Sequence, residues 1–158
     1  MGTGAGPRRW NGWYVNAGRS GSPAFISQEL IPTNGNVLRV VIIGLKMITY
    51  WKRAGSSGQI ITTIKKGARI DRDWRIDLQE KGRALTQKFS DATGINLAAV
   101  DLVFPFNQAG PEPLFIEINY YFGRRGLGGS LKYYRLLFAA IKEWLNKKGF
   151  DPKSIKLA

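Results

Sequence analysis

The sequence predicts an α+β fold, with a largely antiparallel sheet and two helices packed against it. Two observations carry this prediction. Strand-like runs dominate the first third of the chain, and a helix, two apolar strands and a final helix follow in that order. The chain contains no internal repeats.

The strands are predicted from short runs rich in β-branched and aromatic residues, each bounded by turn signals. The first run covers residues 24–31. The next two, Val37–Ile43 and 46–52, flank the pair Gly44-Leu45, which predicts a hairpin. Further apolar runs predict strands at 60–64, 97–104 and Leu114–Asn119.

Two helices are predicted from apolar residues at helical spacing. The first should begin at Asp77, whose spacing from Glu80 suits a capping box, and should stop at Gly94. The second should have Ser130 as its cap and end at Gly149. The expected buried stripes are Leu78, Gly82, Leu85, Phe89 and Ala92 on the first helix, and Tyr134, Leu137, Phe138, Ile141 and Trp144 on the second.

Composition divides the chain into three parts. Residues 1–23 contain six glycines and no acid, which predicts an irregular Gly/Arg-rich segment. Residues 24–149 carry the regular patterns and are expected to form one folded lobe, and residues 150–158 form a tail.

The absence of two residue types excludes several kinds of chemistry. The 158 residues include neither Cys nor His, so disulfides, thiolate sites, Ser-His-Asp triads and the usual zinc sites are excluded. Catalysis would have to use carboxylates, amides, lysines, arginines, hydroxyls or a hard cation with oxygen ligands. The longest apolar run, residues 40–45, is too short to cross a bilayer.

The charge is strongly positive and unevenly distributed. Lys and Arg number 24 against 11 Asp and Glu, a net charge of +13. Residues 1–70 hold ten bases and one acid, 10 − 1 = +9, and the remainder holds +4. This balance favours an anionic partner, either the phosphates of a nucleotide, a nucleic acid or an acidic substrate. A solvated basic surface without a dedicated partner is the alternative.

Two acids lie inside apolar strands, where an ionised carboxylate is costly unless it is paired or binds a metal. Asp101 lies within 97–104, and Glu117 lies within Leu114–Asn119. Glu117 and Asn119 share a face because side chains alternate along a strand. If the two strands are neighbours, two carboxylates and an amide converge, a ligand set that suits magnesium. The alternatives are that the acids face solvent or pair with arginine.

These residues resemble a known family. Asp101 on one strand, then Leu-Phe-Ile-Glu-Ile-Asn at 114–119, then a Gly-containing loop resemble the C-terminal lobe of an ATP-grasp ligase, in the branch of glutathione synthetase-like and ribosomal-protein glutamate ligase-like enzymes. Three earlier segments agree in order, covering about residues 24–145. They are Ile-Ser-Gln-Glu-Leu-Ile at 26–31, the arginine-bearing run 35–44, and Lys52-Arg53 followed by Thr-Thr-Ile-Lys-Lys-Gly at 62–67.

The resemblance implies a role for each matching residue. Asp101, Glu117 and Asn119 would hold Mg²⁺ beside the phosphates of ATP. The implied catalytic residues are Arg39 and Arg53, which would bind the γ-phosphate and an acyl-phosphate, and Lys66, which would assist by charge. The residues implied to bind the nucleotide are Gln28, Glu29, Leu30, Ile31 and Phe115. The implied activity is an ATP- and Mg-dependent ligation of a carboxylate to an amine or a thiol, in the cytoplasm.

The chain departs from the family pattern at three places. Thr63 stands where the family often has Asn, and the aromatic residues 120–122 stand where relatives have small residues and Pro. Arg124-Arg125 would favour an anionic acceptor, with plain surface charge as the alternative. A complete enzyme also has an earlier domain and an N-terminal ATP-grasp lobe, which residues 1–23 cannot supply, so the chain is expected to be one truncated lobe that a separate chain could complete.

Two other functions stay open from the sequence. One is a nucleic-acid-binding module, because the net charge of +13 accompanies 12% aromatic residues that could stack on bases. The other is a catalytically dead subunit whose face, normally covered by the missing lobe, binds a partner.

Overall fold

The computed structural model describes residues 30–55, 67–105, 109–151 and 153 in full, together with the backbone of three strands before residue 30. The chain divides into two compact units, Met1–Ile31 and Pro32–Ala158. Each unit has its own sheet.

The smaller unit contains a three-stranded antiparallel sheet in chain order. Its strands are β1 (Arg8–Trp10), β2 (Trp13–Asn16) and β3 (Phe25–Gln28). Two of these strands fall where glycine-rich composition predicts an irregular segment, and the unit boundary follows Ile31 instead of residue 23. The missed signal is the strand-forming aromatic pair Trp10 and Trp13 on either side of Asn-Gly, a dipeptide typical of hairpins.

The larger unit has the predicted α+β fold, with a five-stranded antiparallel sheet and two helices. The strand order is β6-β5-β4-β7-β8. The strands are β4 (Val37–Ile43), β5 (Lys46–Arg53), β6 (Arg69–Asp71), β7 (Leu97–Val103) and β8 (Leu114–Asn119). The helices are α1 (Ile76–Thr93), α2 (Ser130–Lys147) and a 3₁₀ turn at Arg125–Leu127. The extended segment predicted at 60–64 lies outside the described residues.

The predicted hairpin around Gly44 is confirmed. Ile43 pairs with Lys46, so only Gly44 and Leu45 connect β4 to β5. Gly44 has a φ of 61°, and a Cβ at this position would lie 2.7 Å from the Cβ of Ala140. Glycine is therefore required both for the backbone conformation and for the close approach of α2.

Helix α1 covers one face of the larger sheet. Its Leu78 packs in a buried cluster with residues of the sheet, among them Leu38, Trp51 and Leu102. Leu85 and Phe89 of the same helix are partly buried and pack against this cluster. The chain ends α1 at Gly94 as predicted, with a φ of 74° and an N–H donated to the Ser90 carbonyl. The predicted Ala92 contact is wrong, because Ala92 is exposed.

The predicted capping box at Asp77 is also wrong. The N-cap of α1 is Arg75, in the left-handed region at φ 46°, and no side chain caps the helix. Asp77 instead accepts two hydrogen bonds from the Arg75 guanidinium, at 3.0 and 2.7 Å. Asp77 lies inside the helix, one residue after its first residue Ile76, so it is not at the capping position.

Helix α2 covers the opposite face of the sheet, and its buried side differs from the predicted stripe. The residues that pack against Val41, Ile43 and Tyr50 are Tyr133, Leu136, Leu137 and Ala140. Tyr134, Ile141 and Trp144 are exposed at 52%, 44% and 51%. Ala140 decides the orientation, since its small side chain lets the helix approach Gly44. Ser130 is the first helical residue and makes no cap, because Gly129 is the N-cap.

No helix among the described residues is long and apolar enough to span a membrane.

Candidate functional site

A row of four polar side chains crosses four strands of the larger sheet. Tyr50 on β5 lies opposite Arg39 on β4, Arg39 lies opposite Asp101 on β7, and Asp101 lies opposite Glu117 on β8. Directly opposed residues of antiparallel strands project from the same face. The row therefore lies on the α2 side of the sheet, and Gly126 of the 3₁₀ turn lies against the ring of Tyr50.

Asp101 is the centre of this row and is 2% exposed. Arg39 donates to it twice, from Nε to Oδ1 and from a terminal nitrogen to Oδ2, each at 2.7 Å. Lys52 donates to Oδ2, also at 2.7 Å. The sequence left open whether this acid binds a metal, faces solvent or pairs with arginine, and the structure has it paired with two cations.

The pKa values of the three groups follow from burial and mutual charge. Burial would raise the pKa of Asp101, but the hydrogen bonds and charges of Arg39 and Lys52 outweigh it, so that pKa lies below its ordinary value. Burial would lower the pKa of Arg39, and its bonds to Asp101 raise it overall. Burial lowers the pKa of Lys52, and Asp101 offsets this only in part while Arg39 adds to it. Asp101 is therefore ionised at neutral pH.

Glu117 and Asn119 extend the row to the edge strand. Asn119 lies opposite Ala99, and its side-chain nitrogen donates to Glu117 Oε1 at 3.0 Å. The pairing shifts between Asp101 and Leu102, leaving one extra residue in β8. This bulge sets Glu117 opposite Asp101. The structure thus brings the three oxygen-bearing residues predicted from the sequence to one face of two adjacent strands.

Oxygen donors of this kind suit a hard divalent cation, but hydrogen bonds already occupy most of the acceptor positions of Asp101. A carboxylate offers about four acceptor positions, and Asp101 uses three of them for Arg39 and Lys52. Glu117 is exposed and keeps free oxygen capacity beside the amide of Asn119. Among the described residues no group of three acids could hold a metal ion, so the site would rest on two carboxylates and an amide.

Two other predicted residues are held elsewhere. Arg53 follows Lys52, so it projects from the opposite face, where it donates to Asp71 at 2.9 Å and stacks 4.4 Å from the ring of Trp74. Phe115 lies opposite Leu102, with its ring 5.5 Å from that of Phe89 on the α1 side. The structure does not bring either residue to Asp101.

The remaining predicted residues are only partly described. Glu29 and Lys66 lie outside the described residues, and Gln28 is described by its backbone alone, as the end of β3. Leu30 is 74% exposed, and Ile31 is half-buried. Their predicted role in binding adenine stays a prediction.

Comparison with known proteins shows which family the chain is similar to. Residues 17–133 match the model of the RimK-like ATP-grasp domain, which is most of the 158-residue chain. The chain belongs to this ATP-grasp family. The resemblance inferred from the motifs is therefore confirmed.

Curated relatives of this ATP-grasp domain share about a quarter of its residues. A protein of Picosynechococcus sp. named "Probable alpha-L-glutamate ligase" is 24% identical over 65% of this chain and 32% of its own length. Proteins of the same name from Halorhodospira halophila and Syntrophotalea carbinolica are 26% and 27% identical, over 32% and 31% of their lengths. The matched part of the chain thus spans about a third of these relatives.

Sequence reasoning missed one member of the charged cluster around Asp101. Lys52 received no role, although it is a charged residue directly after Tyr50-Trp51 in a strand, where a buried lysine needs a partner. The signal that could have identified it is alternation: Tyr50 and Lys52 share a face, and Arg53 does not.

Proposed function

We propose that this chain provides the metal- and phosphate-binding face of an ATP-dependent ligase that joins a carboxylate to an amine. The observation that carries the proposal is the contiguous row Arg39, Asp101 and Glu117, with Lys52 and Asn119 beside it. Cations for phosphate and oxygen ligands for Mg²⁺ are the two groups that phosphoryl transfer from ATP requires. Family membership supports the same conclusion.

In the proposed reaction a carboxylate oxygen of the substrate attacks the γ-phosphorus of ATP and ADP leaves. The amine nitrogen then attacks the carbonyl carbon of the resulting acyl-phosphate, the bond from carbon to the phosphate oxygen breaks, and phosphate leaves while the nitrogen loses a proton. A thiol acceptor would react in the same way. Mg²⁺, held by Asp101, Glu117 and Asn119, would neutralise phosphate charge when bound.

The residues of this chain would bind and orient. The guanidinium of Arg39 is fixed by two bonds to Asp101, and its remaining donors would meet the phosphate and the acyl-phosphate. Lys66 is proposed to assist by charge, and Gln28, Glu29, Leu30 and Ile31 would bind the adenine. The roles implied for Arg53 and Phe115 are not proposed again, because both side chains lie on the face of the sheet opposite Asp101.

The relatives' names support L-glutamate as one substrate, because each is named an alpha-L-glutamate ligase. Arg124 is a candidate for binding its carboxylates. Its guanidinium lies 5.1 and 4.8 Å from the rings of Tyr133 and Tyr134, which hold it beside the N-terminal turns of α2. We expect turnover to need the portion of the fold outside the matched third of the relatives, in a separate chain or in the same one.

ATP binding measured by calorimetry with and without Mg²⁺ tests the proposal. Glu117→Gln removes one proposed ligand charge, and Glu112→Gln, at an exposed acid paired with Lys81, is the matched control. We expect Mg²⁺ to tighten ATP binding in the wild type and in Glu112→Gln, and not in Glu117→Gln. ATP binding that does not depend on Mg²⁺, or an equal effect of Mg²⁺ on ATP binding in all three proteins, would contradict the proposal.

The charge of +13 supports a second candidate function, the binding of single-stranded nucleic acid. The exposed Tyr120 and Tyr121 precede Arg124 and Arg125 in the segment between β8 and α2, and such rings can stack on bases. Affinity for an oligonucleotide that falls steeply with salt and is unchanged in Glu117→Gln would favour this function. An ATP-independent interaction subunit would bind neither ligand.

A further inference from the structure

Lys52 is a buried cation to which the family resemblance assigns no role. Its side chain is 8% exposed, and within the described part of the chain its one ion pair is with Oδ2 of Asp101, at 2.7 Å. On the two strands beside it, Lys52 lies opposite Val37 and Ile70. Neither apolar neighbour can hold an ammonium, so the acids of the row are the groups that retain it.

Lys52 and Arg39 hold Asp101 in different ways. Arg39 forms a planar two-bond fork that uses both carboxylate oxygens. Lys52 adds one bond, to an oxygen that Arg39 already occupies, and it carries its charge on a flexible four-carbon stem. Lys52 is therefore the cation that can leave Asp101 while the fork keeps the carboxylate in position.

The charges of the row, counted together with that of Lys52 beside it, balance without a metal. Arg39 and Lys52 carry two positive charges, and Asp101 and Glu117 carry two negative ones. A divalent cation placed between the two acids would repel the nearby ammonium of Lys52, and it would bind a carboxylate that Arg39 and Lys52 leave with one acceptor position. If the ammonium of Lys52 were released from Asp101, it would lie beside the nucleotide phosphates that accompany the cation.

We propose that Lys52 is a phosphate-binding residue of the nucleotide site, and that it pairs with Asp101 until a divalent cation takes its place. The inference rests on the proposed function, since it assumes that Asp101 and Glu117 receive the cation with ATP. The inference adds an exchange at that site. When ATP binds together with its divalent cation, the ammonium of Lys52 moves from a carboxylate oxygen to a phosphate oxygen.

Binding of Mn²⁺ alone, followed by electron paramagnetic resonance, tests the first half. Lys52→Met keeps the length of the stem without the charge, and Lys46→Met, at an exposed lysine on the same strand, is the control. Losing the competing charge-assisted bond should tighten Mn²⁺ binding about tenfold in Lys52→Met. Lys46→Met should match the wild type.

Binding of ATP in saturating Mg²⁺ tests the second half. Here the order reverses, because the ammonium contributes to binding: Lys52→Met should bind ATP about tenfold more weakly than the wild type. Tighter Mn²⁺ binding together with weaker ATP binding is the pattern that a structural defect would not produce. Equal or weaker Mn²⁺ binding, or unchanged ATP binding, by a folded Lys52→Met overturns the inference.

A measurement on the wild type makes the test independent of that variant's folding. The ¹⁵N signal of the Lys52 ammonium should shift during an Mg²⁺ titration with the same midpoint as cation binding. A cation that binds without moving this signal overturns the inference and leaves the proposed function intact. Failure of the wild type to bind Mn²⁺, or Mg²⁺ with ATP, overturns both.

Discussion

Arg39 and Asp101 lie directly opposite each other on neighbouring strands and are joined by two parallel hydrogen bonds of 2.7 Å. The pair places a fixed guanidinium and a fixed carboxylate in the middle of the sheet, with Lys52 as the third charge. A buried charge left without its partner is costly, so each member of this cluster depends on the others.

Removing the carboxylate should therefore destabilise the protein strongly. Asp101→Ala leaves two cations in a buried position without a counter-charge, so the free energy of unfolding should fall by about 3–5 kcal/mol. Urea denaturation followed by fluorescence measures this. Asp77→Ala, which breaks an exposed pair with Arg75, should change stability little; an equally small effect of Asp101→Ala would show that the buried triad contributes nothing.

The contribution of Asp101 should depend on pH in the acid range. Its pKa is lower in the folded protein than the ordinary value of 3.8, so the unfolded chain takes up a proton first as the pH falls. The stability advantage of the wild type over Asp101→Asn should be full at neutral pH and should shrink as the pH drops through about 4 toward the folded pKa. Unfolding curves at several pH values measure it, and a difference independent of pH would contradict the prediction.

The packing of α2 on the hairpin can be separated from backbone strain with two glycines. Gly44 and Gly110 have nearly the same φ, 61° and 62°, but a Cβ would meet Ala140 at Gly44 and no described residue within 4 Å at Gly110. Gly110→Ala should cost about 1 kcal/mol from the left-handed backbone alone. Gly44→Ala should cost about 1–3 kcal/mol more because of overpacking. Equal losses in thermal unfolding would mean that α2 does not contact the turn.

Gly82 should reverse the usual effect of alanine in a helix. In an exposed helix, Gly→Ala gains about 1 kcal/mol, but a Cβ on Gly82 would collide with the side chain of Leu38 and approach Leu102 to 3.1 Å. We expect Gly82→Ala to lower the free energy of unfolding by about 1–3 kcal/mol. Gly123→Ala, at a loop position with open space, should be nearly neutral, and a stabilising Gly82→Ala would contradict the observed packing of α1 on β4.

Local patterns in the chain were sufficient for most elements of the larger unit. The hairpin at Gly44, strands β7 and β8 and the stop of α1 at Gly94 all follow from short-range chemistry, because turns, caps and alternation act over a few residues. The same alternation placed Glu117 and Asn119 on one face. The stripe of α2 could not be decided in this way, since its apolar residues extend around too much of the helix to specify one buried side.

By itself, then, the amino-acid order determined the type of most elements of the larger unit and the identity of the candidate acids, but it did not indicate the short strands β1, β2 and β6. Only the tertiary structure decided which cations meet Asp101. Lys52 and Arg53 are adjacent in the chain, and strand pairing directs one toward Asp101 and the other toward Asp71. That choice depends on the register between strands distant in sequence, and register is set by the burial of whole sheet faces instead of by any local motif.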